Sequence, residues 1–182
     1  MILRTKCVPY MNAEVSTLTD KSGAGHYDGT VANATWGDNA KGGKNLVFVA
    51  GDADNTVDYG DIGFAWGVGI WVYLPDVTTD QGIWQSKDTT ATEGLQVATG
   101  SLSCAGWASC NIFVDGADTN TVAIGTHYIE VVGAAIETMS GFTIGLVNAT
   151  YLSGTVYGWT AFNYARTQEQ ITQEYNAHKN DY

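Results

Sequence analysis

The clearest hydrophobic pattern in the chain runs from Phe64 to Leu74, and it alternates with a period of two residues. Every even-numbered position in this segment is apolar: Phe64, Trp66, Val68, Ile70, Val72 and Leu74. Successive side chains of a strand point to opposite faces, so the pattern predicts a strand whose even positions face the core. Trp71 and Tyr73 then lie together on the other face, and Pro75 ends the strand.

Shorter apolar segments, separated by glycine and other turn residues, recur along the rest of the chain. They predict further strands at 45–50, 56–59, 82–85, 94–98, 111–114, 127–132, 142–147 and 155–164. About ten strands without a linker or an internal repeat favour two packed antiparallel sheets. The expected fold class is all-β, a single sandwich domain over residues 1–182.

One helix is predicted, near the C-terminus. Thr167 followed by Gln170 forms a capping box, in which each side chain satisfies a free backbone N–H of the other residue. Ile171 and Tyr175 follow at a spacing of four residues and give the helix one apolar side. We expect this short helix to pack against the sandwich.

Charge limits the classes of partner. The net charge is −11, and phosphate-binding surfaces need an excess of lysine and arginine, so nucleic acid is not an expected partner. No apolar run approaches the roughly 20 residues that a membrane helix needs, so no membrane insertion is expected. The first six residues lack the apolar core of a secretory signal; either a signal has been trimmed or classical export is not used.

The three cysteines, Cys7, Cys104 and Cys110, cannot all pair within one chain. Cys104 and Cys110 are close enough in sequence to close a small loop. Without an export signal, free thiols are favoured over this disulfide, and the pairing stays open. No histidine stands at metal-binding spacing, so zinc is not expected.

Four segments share a pattern with a known family and occur in that family's order. They are 20–23 with Gly29, 46–48 followed by 51–54 and 57–58, 69–75, and 159–177. Their sequences include DKSG, LVF followed by GDAD and VD, GIWVYLP, and FNYART followed by EQI and YNA. With these motifs the chain resembles the laminin G-like branch of the concanavalin A-like lectin/glucanase superfamily.

The resemblance implies a jelly-roll sandwich of two curved sheets with a short C-terminal helix. Members of this superfamily include sugar-binding lectins, protein-binding adhesion modules, glycanases, and tail or head proteins of viruses. The fold alone does not choose among these functions.

The sequence lacks the residue patterns of the enzymes in this superfamily. Retaining glycanases need two carboxylates about 5–5.5 Å apart, which a strand supplies from acids two positions apart. None of the glutamates has an acid two positions away: Glu14, Glu93, Glu130, Glu137, Glu169 and Glu174. His127 and Tyr128, a pair that a polysaccharide lyase would use, are adjacent and so face opposite sides of a strand. The chain is therefore predicted not to be an enzyme.

An acidic turn suggests a metal site. Asp52, Asp54, Asp58 and Asp61 follow a predicted strand, and calcium takes six to eight oxygen ligands from such turns. Asp is also a common turn former because it hydrogen-bonds its own backbone. Calcium is thus a candidate cofactor, and a purely structural turn is the alternative.

Two pairs of aromatic residues are candidate ligand-binding platforms. Trp71 with Tyr73, and Tyr157 with Trp159, each stand two positions apart and so share one face of a regular strand. Sugars present flat C–H faces that stack on such rings. The alternatives are core packing, or contact with another subunit, because aromatic residues also anchor interfaces.

Two functions fit these observations. The first is a structural decoration or fibre-type protein on the surface of a virus particle, with other subunits or copies of itself as partners and glycan adhesion as an added role. The second is a free-standing or secreted, extracellular lectin-like module that binds cell-surface glycans, with or without calcium. An exposed aromatic platform beside polar side chains would favour the second function, and a flat apolar interface the first.

Overall fold

A computed structural model describes the strands at 4–7 and 17–18 by their backbone, and then residues 28–38, 44–49, 55–87, 93–107 and 109–182. Two large antiparallel sheets pack face to face, and one short helix covers part of the outside. The predicted all-β sandwich with a C-terminal helix is therefore confirmed. Within the described part, no helix is both long and apolar enough to cross a membrane.

The strands keep close to their predicted bounds, and several short strands are added to them. In chain order they are β1 (Arg4–Cys7), β2 (Thr17–Leu18), β3 (Gly29–Ala32), β4 (Thr35–Asp38), β5 (Lys44–Phe48), β6 (Thr56–Gly60), β7 (Phe64–Leu74), β8 (Gln81–Gln85), β9 (Gly94–Ala98), β10 (Ser101–Ala105), β11 (Cys110–Val114), β12 (Ala117–Asp118), β13 (Gly125–Thr138), β14 (Phe142–Ile144), β15 (Leu146–Val147), β16 (Thr150–Tyr151) and β17 (Gly154–Phe162). Helix α1 spans Gln168–His178.

The order of strands places β7 at the centre of the first sheet. That sheet runs β12-β11-β13-β7-β17-β5-β4, and β1 also pairs with β17. The second sheet runs β10-β9-β8-β14-β6-β3-β2. The main core lies between the two sheets and includes fully buried Val68, Ile70 and Val72 of β7. These residues confirm the predicted core face over most of the strand.

The prediction is wrong at the start of β7. Phe64 is 64% exposed, whereas Ala65, on the face expected to point outward, is 1% exposed and belongs to the core. The partner strand β13 shifts register between Val132 and Glu137, next to this part of β7. Where the partner strand is irregular, the side chains of a strand can change the sheet face to which they point. The alternating pattern of one strand does not reveal such an irregularity in its partner.

Helix α1 packs on the outer face of the first sheet. Thr167 and Gln170 form the predicted capping box, and Ile171 is completely buried. Ile171 contacts a second cluster, separate from the main core, that includes Trp71 and Tyr128. The helix therefore covers the centre of the outer face, where β13, β7 and β17 lie side by side.

Candidate polar cleft beside the C-terminal helix

A buried polar group lies between helix α1 and the first sheet. Glu130 on β13 is 0% exposed. Its Oε2 accepts hydrogen bonds from the Tyr128 hydroxyl at 2.6 Å and from Arg166 Nη1 at 3.0 Å. Arg166 Nη1 also lies 3.3 Å from the Tyr128 hydroxyl. A charge buried in this way is tolerated only when partners of opposite charge or hydrogen-bond donors surround it.

Burial controls the ionisation of this group. It raises the pKa of Glu130 to about 7, although the Arg166 charge and the Tyr128 hydrogen bond both act to lower it. Burial also raises the pKa of Tyr128 well above its ordinary value, with the Glu130 charge adding to the effect. Within the part of the chain that the structure describes, Glu130 Oε1 and Arg166 Nε have no hydrogen-bond partner. The environment therefore moves the titration of this carboxyl from the acidic range towards neutral pH.

Arg166 connects this buried group to a surface cleft. It stands between the end of β17 and the start of α1, and its Nη2 donates to the Gln170 backbone carbonyl at 2.6 Å. Its guanidinium lies 4.3 Å from the centre of the Phe162 ring, a cation–π contact. Because the Thr167 capping box fixes the first turn of the helix, Arg166 and Gln170 are held in one arrangement.

The cleft has a volume of about 310 Å³ and is mostly polar. It is lined by Tyr164, Arg166, Gln170, Gln173, Glu174 and Ala177. Glu174 lies 3.9 Å from Arg166 Nη2 and 3.5 Å from His178 Nε2. The lining thus offers one aromatic ring, two amides and a balanced pair of opposite charges, a set that suits a neutral ligand rich in hydroxyl groups.

Helix α1 and the C-terminal residues cover Trp71, one of the two members of the first predicted platform. Trp71 is 7% exposed; its ring stacks on Tyr175 with centroids 5.9 Å apart and contacts Tyr182 at 5.0 Å. Tyr73, on the same face of β7, is 37% exposed. In this structure Tyr73 is therefore the accessible member of the pair, and its binding role stays a prediction.

The second predicted platform is wrong as a pair, because Tyr157 and Trp159 lie on opposite faces. Tyr157 is on the outer face, with its ring 5.0 Å from that of Tyr182. Trp159 is 3% exposed in the main core, where its ring lies 4.5 Å from that of Phe142. The pairing of β17 with β7 shifts between Val156 and Gly158. This bulge inserts one residue and reverses which face the following positions occupy.

Two of the four residues of the predicted calcium turn, Asp52 and Asp54, lie outside the described residues. Asp58 Oδ1 accepts a hydrogen bond from Gly60 N, and Asp61 Oδ1 accepts one from Gly63 N, both at 2.8 Å. These two side chains therefore close turns of their own backbone. Over 28–38, 44–49, 55–87, 93–107 and 109–182, no three acidic, histidine or cysteine side chains group to hold a metal. Calcium at this turn stays a prediction.

Sequence reasoning missed the cleft, although one signal for it was present. Glu130 stands in the otherwise apolar run Ile129–Val132, and an acid there predicts a buried cationic partner. The sequence does not show that this partner is Arg166, 36 positions away. His127 and Tyr128 do have different surroundings: His127 Nδ1 lies 2.8 Å from Asp115 Oδ2, whereas Tyr128 contacts Glu130.

The fold and the cleft define a β-sandwich of the jelly-roll kind with a polar groove beside its C-terminal helix. No family model and no curated protein sequence matches the chain. Several solved structures share the fold. Domain 4 of AbnA, an extracellular GH43 arabinanase from Geobacillus stearothermophilus solved in complex with arabinotriose, matches with a TM-score of 0.56 at 15% identity, over 93% of this chain and 98% of that domain.

Two other matches cover only part of longer proteins. Trypanosoma rangeli sialidase, in complex with the inhibitor DANA, matches with a TM-score of 0.59 at 15% identity, over 94% of this chain and 32% of its own. The receptor-binding domain of botulinum neurotoxin D matches with a TM-score of 0.53 at 10% identity, over 96% of this chain and 53% of its own. At these identities the likeness shows a common fold.

Proposed function

We propose that the chain is a non-catalytic glycan-binding module whose ligand occupies the cleft beside α1. The observation that carries this proposal is the lining of the cleft. Sugar hydroxyls both donate and accept hydrogen bonds, and so does the side-chain amide of Gln173. Gln170 Oε1 already accepts from Thr167 N, which leaves the Gln170 amide nitrogen as a donor. The Tyr164 ring offers a flat apolar surface for the C–H face of a sugar.

The charges around the cleft favour a neutral sugar over an acidic one. Arg166 is 9% exposed and its Nη atoms already donate to Glu130 and to the Gln170 carbonyl, so little of its guanidinium is accessible to a ligand carboxylate. Glu174 adds a negative charge at the cleft. The chain as a whole carries −11, and this charge repels anionic ligands.

The comparisons support an oligosaccharide of modest size. Domain 4 of AbnA, which this chain matches along nearly its whole length, is described in complex with arabinotriose. The botulinum toxin match is a receptor-binding domain. A cleft of about 310 Å³ is at the small end of ligand sites, which run from about 300 to 1,000 Å³. It suits one or two sugar units of a longer chain.

The same geometry argues against hydrolysis in the cleft. Glycoside hydrolysis uses two carboxyl groups that flank the bond to be cleaved. Among the described residues that line the cleft, Glu174 is the one with a carboxylate. Glu130 lies behind Arg166 and is 0% exposed, so it does not reach a bound sugar. The module is accordingly proposed to bind its ligand and release it unchanged.

The setting of the module is a separate matter. Display on a virion surface within an assembly of subunits, or secretion to the extracellular space, stays a prediction from the sequence. Either setting is compatible with glycan adhesion through the cleft. The binding proposal therefore does not depend on which of them applies.

The test compares two glutamines of the same helix. Gln173 lines the cleft, whereas Gln168 is exposed and does not line it. After a glycan array has identified ligands, with arabinotriose as the first soluble probe, calorimetry measures Kd for wild type, Gln173→Ala and Gln168→Ala. We expect Gln173→Ala to weaken binding roughly three- to tenfold, the effect of one hydrogen bond, and Gln168→Ala to leave it unchanged.

A second variant fills the cleft without removing a polar group. Ala177→Leu adds bulk to the lining on an exposed helix position and should abolish binding while the melting temperature holds. Equal affinities for wild type, Gln173→Ala and Ala177→Leu would contradict binding in this cleft. Chromatography showing cleavage of the bound sugar would contradict the non-catalytic assignment.

A further inference from the structure

Two thiols stand opposite each other where the sheets meet at one side of the sandwich. Cys104 belongs to β10, the edge strand of the second sheet, and Cys110 to β11 in the first sheet. Both cysteines are free and partly exposed.

The Cys110 side chain contacts Cys104 directly. Cys110 Sγ donates a hydrogen bond to the Cys104 backbone carbonyl at 3.6 Å. Hydrogen bonding between the two thiols lowers the pKa of Cys110 and raises that of Cys104. Burial and the nearby Glu137 charge raise both pKa values and so oppose the effect on Cys110. Cys110 is thus the better nucleophile, because the thiolate is the reactive form.

The connection between the thiols is well anchored. Trp107 is 6% exposed, belongs to the main core and lies 3.4 Å from Ser86 Oγ through its indole nitrogen. Gly106 has a φ of +81° and a Cβ there would collide with Glu93, so glycine is required at this turn. Cys110 itself is held in register opposite Gly133 of β13. The turn between the two cysteines and the position of Cys110 are therefore fixed by packing.

We propose that Cys104 and Cys110 form a reversible disulfide that links the edges of the two sheets, with a low-molecular-weight disulfide such as oxidised glutathione as the oxidant. The Cys110 thiolate attacks one glutathione sulfur, forms a mixed disulfide and releases a glutathione thiolate. Cys104 then loses its proton and attacks the Cys110 sulfur, which releases the second glutathione. Two protein thiols are oxidised and one glutathione disulfide is reduced to two thiols.

The link has a physical consequence for the fold. A disulfide restricts the unfolded chain and so favours the folded state, provided that it does not strain the folded structure. Here it would also prevent β10 and β11 from separating. We expect the oxidised protein to melt at a higher temperature than the reduced protein.

The experiment uses the full chain with Cys7 replaced, since Cys7→Ser leaves the proposed pair as its only thiols. The protein is equilibrated with glutathione at increasing ratios of oxidised to reduced form and quenched with an alkylating agent. Mass spectrometry then measures the mass of the intact protein. The proposal expects loss of the mass of two hydrogen atoms and no alkylation. Adding Cys104→Ser or Cys110→Ser should leave one thiol, which takes up glutathione or the alkylating agent.

Peptide mapping of the wild-type chain gives a second readout that does not depend on the Cys7→Ser variant. It should find the peptides that contain Cys104 and Cys110 joined, and Cys7 outside the link. Persistent thiols at the most oxidising ratio, two mixed disulfides with glutathione, or a link through Cys7 would each overturn the proposal. None of these outcomes bears on the glycan cleft, which lies beside α1.

Discussion

Arg166 Nη1 lies 3.0 Å from Glu130 Oε2 beneath the C-terminal helix, and this contact joins three parts of the molecule. Glu130 belongs to the centre of the first sheet, and Arg166 precedes the cap of the helix. Arg166 also lines the proposed glycan cleft. The position of the helix, the ionisation of the buried carboxyl and the shape of the cleft are therefore linked through one side chain.

The first prediction concerns stability and pH. Burial raises the pKa of Glu130 from 4.5 to about 7, so the folded protein keeps a proton that the unfolded chain releases between these values. The free energy of unfolding should therefore fall as the pH rises from about 4.5 to about 7, by up to about 3 kcal/mol from this group. Urea denaturation at a series of pH values measures it.

Glu130→Gln is the matched control for this effect. The amide oxygen can still accept hydrogen bonds from Tyr128 and Arg166 but does not titrate. The fall in the free energy of unfolding below about pH 7 should therefore become shallower. His127 makes a second contribution, because its hydrogen bond to Asp115 raises its pKa above 6.5. The stabilisation from His127 is therefore lost as the pH rises from about 6.5 through the raised pKa. The His127 part should survive in Glu130→Gln. An unchanged pH profile in this variant would contradict the assignment to Glu130.

The second prediction concerns Gly69, which faces Tyr128 across the first sheet. A Cβ at Gly69 would collide with the Tyr128 hydroxyl, so Gly69→Ala should destabilise the fold by about 1–3 kcal/mol, the usual cost of overpacking. Tyr128→Phe removes the hydroxyl and relieves part of the collision. In a double-mutant cycle the two losses should sum to more than the loss in the double variant. Strict additivity would show that the two residues do not meet.

The third prediction compares two aromatic residues, Trp159 and Tyr73, that were both predicted from the sequence to belong to ligand-binding platforms. Trp159 is in the core at 3% exposure, whereas Tyr73 is 37% exposed. Trp159→Ala should cost about 3–5 kcal/mol because it leaves a large cavity, and Tyr73→Ala should cost less than about 1 kcal/mol. Chemical denaturation of both variants measures these losses. A small loss for Trp159→Ala would place its ring at the surface and contradict the bulge in β17.

The fourth prediction concerns the cap of α1. Thr167→Ala removes one half of the capping box and should cost about 1 kcal/mol. Because Gln170 is the other half and also lines the cleft, the variant should weaken glycan binding as well, without removing a cleft residue. Gln168→Ala on the same helix should change neither quantity. Loss of stability with full glycan affinity would show that the cap does not position the cleft.

The sequence predicted the fold from local patterns, because those patterns record burial. The alternation along β7 and the capping box at Thr167 both gave the correct element. The exposure of Phe64 and the opposite faces of Tyr157 and Trp159 could not be predicted, since each depends on a shift of register in pairing with another strand. A period-2 pattern predicts a regular strand, and it does not predict where a bulge interrupts the pairing.

The candidate site was harder to predict for a related reason. Its residues come from two regions that only the folded structure brings together: Glu130 in the middle of the sheet and Arg166 beside the helix, 36 positions later. Most of the aromatic residues predicted to bind a ligand are packed against other side chains, as Trp71 is against Tyr175. The residues that form the cleft are ordinary polar side chains of a helix, a type that sequence reasoning assigns to solvent.

The most direct test of the central claim is an NMR titration of the nitrogen-labelled protein with arabinotriose and with the strongest ligand from the glycan array. Binding in the cleft predicts that the largest shifts appear at Tyr164, Gln170, Gln173 and Glu174, with the sugar signals unchanged in number over a day. Shifts confined to another surface, such as that around Tyr73, would contradict the cleft. The appearance of new sugar signals would contradict a purely binding function.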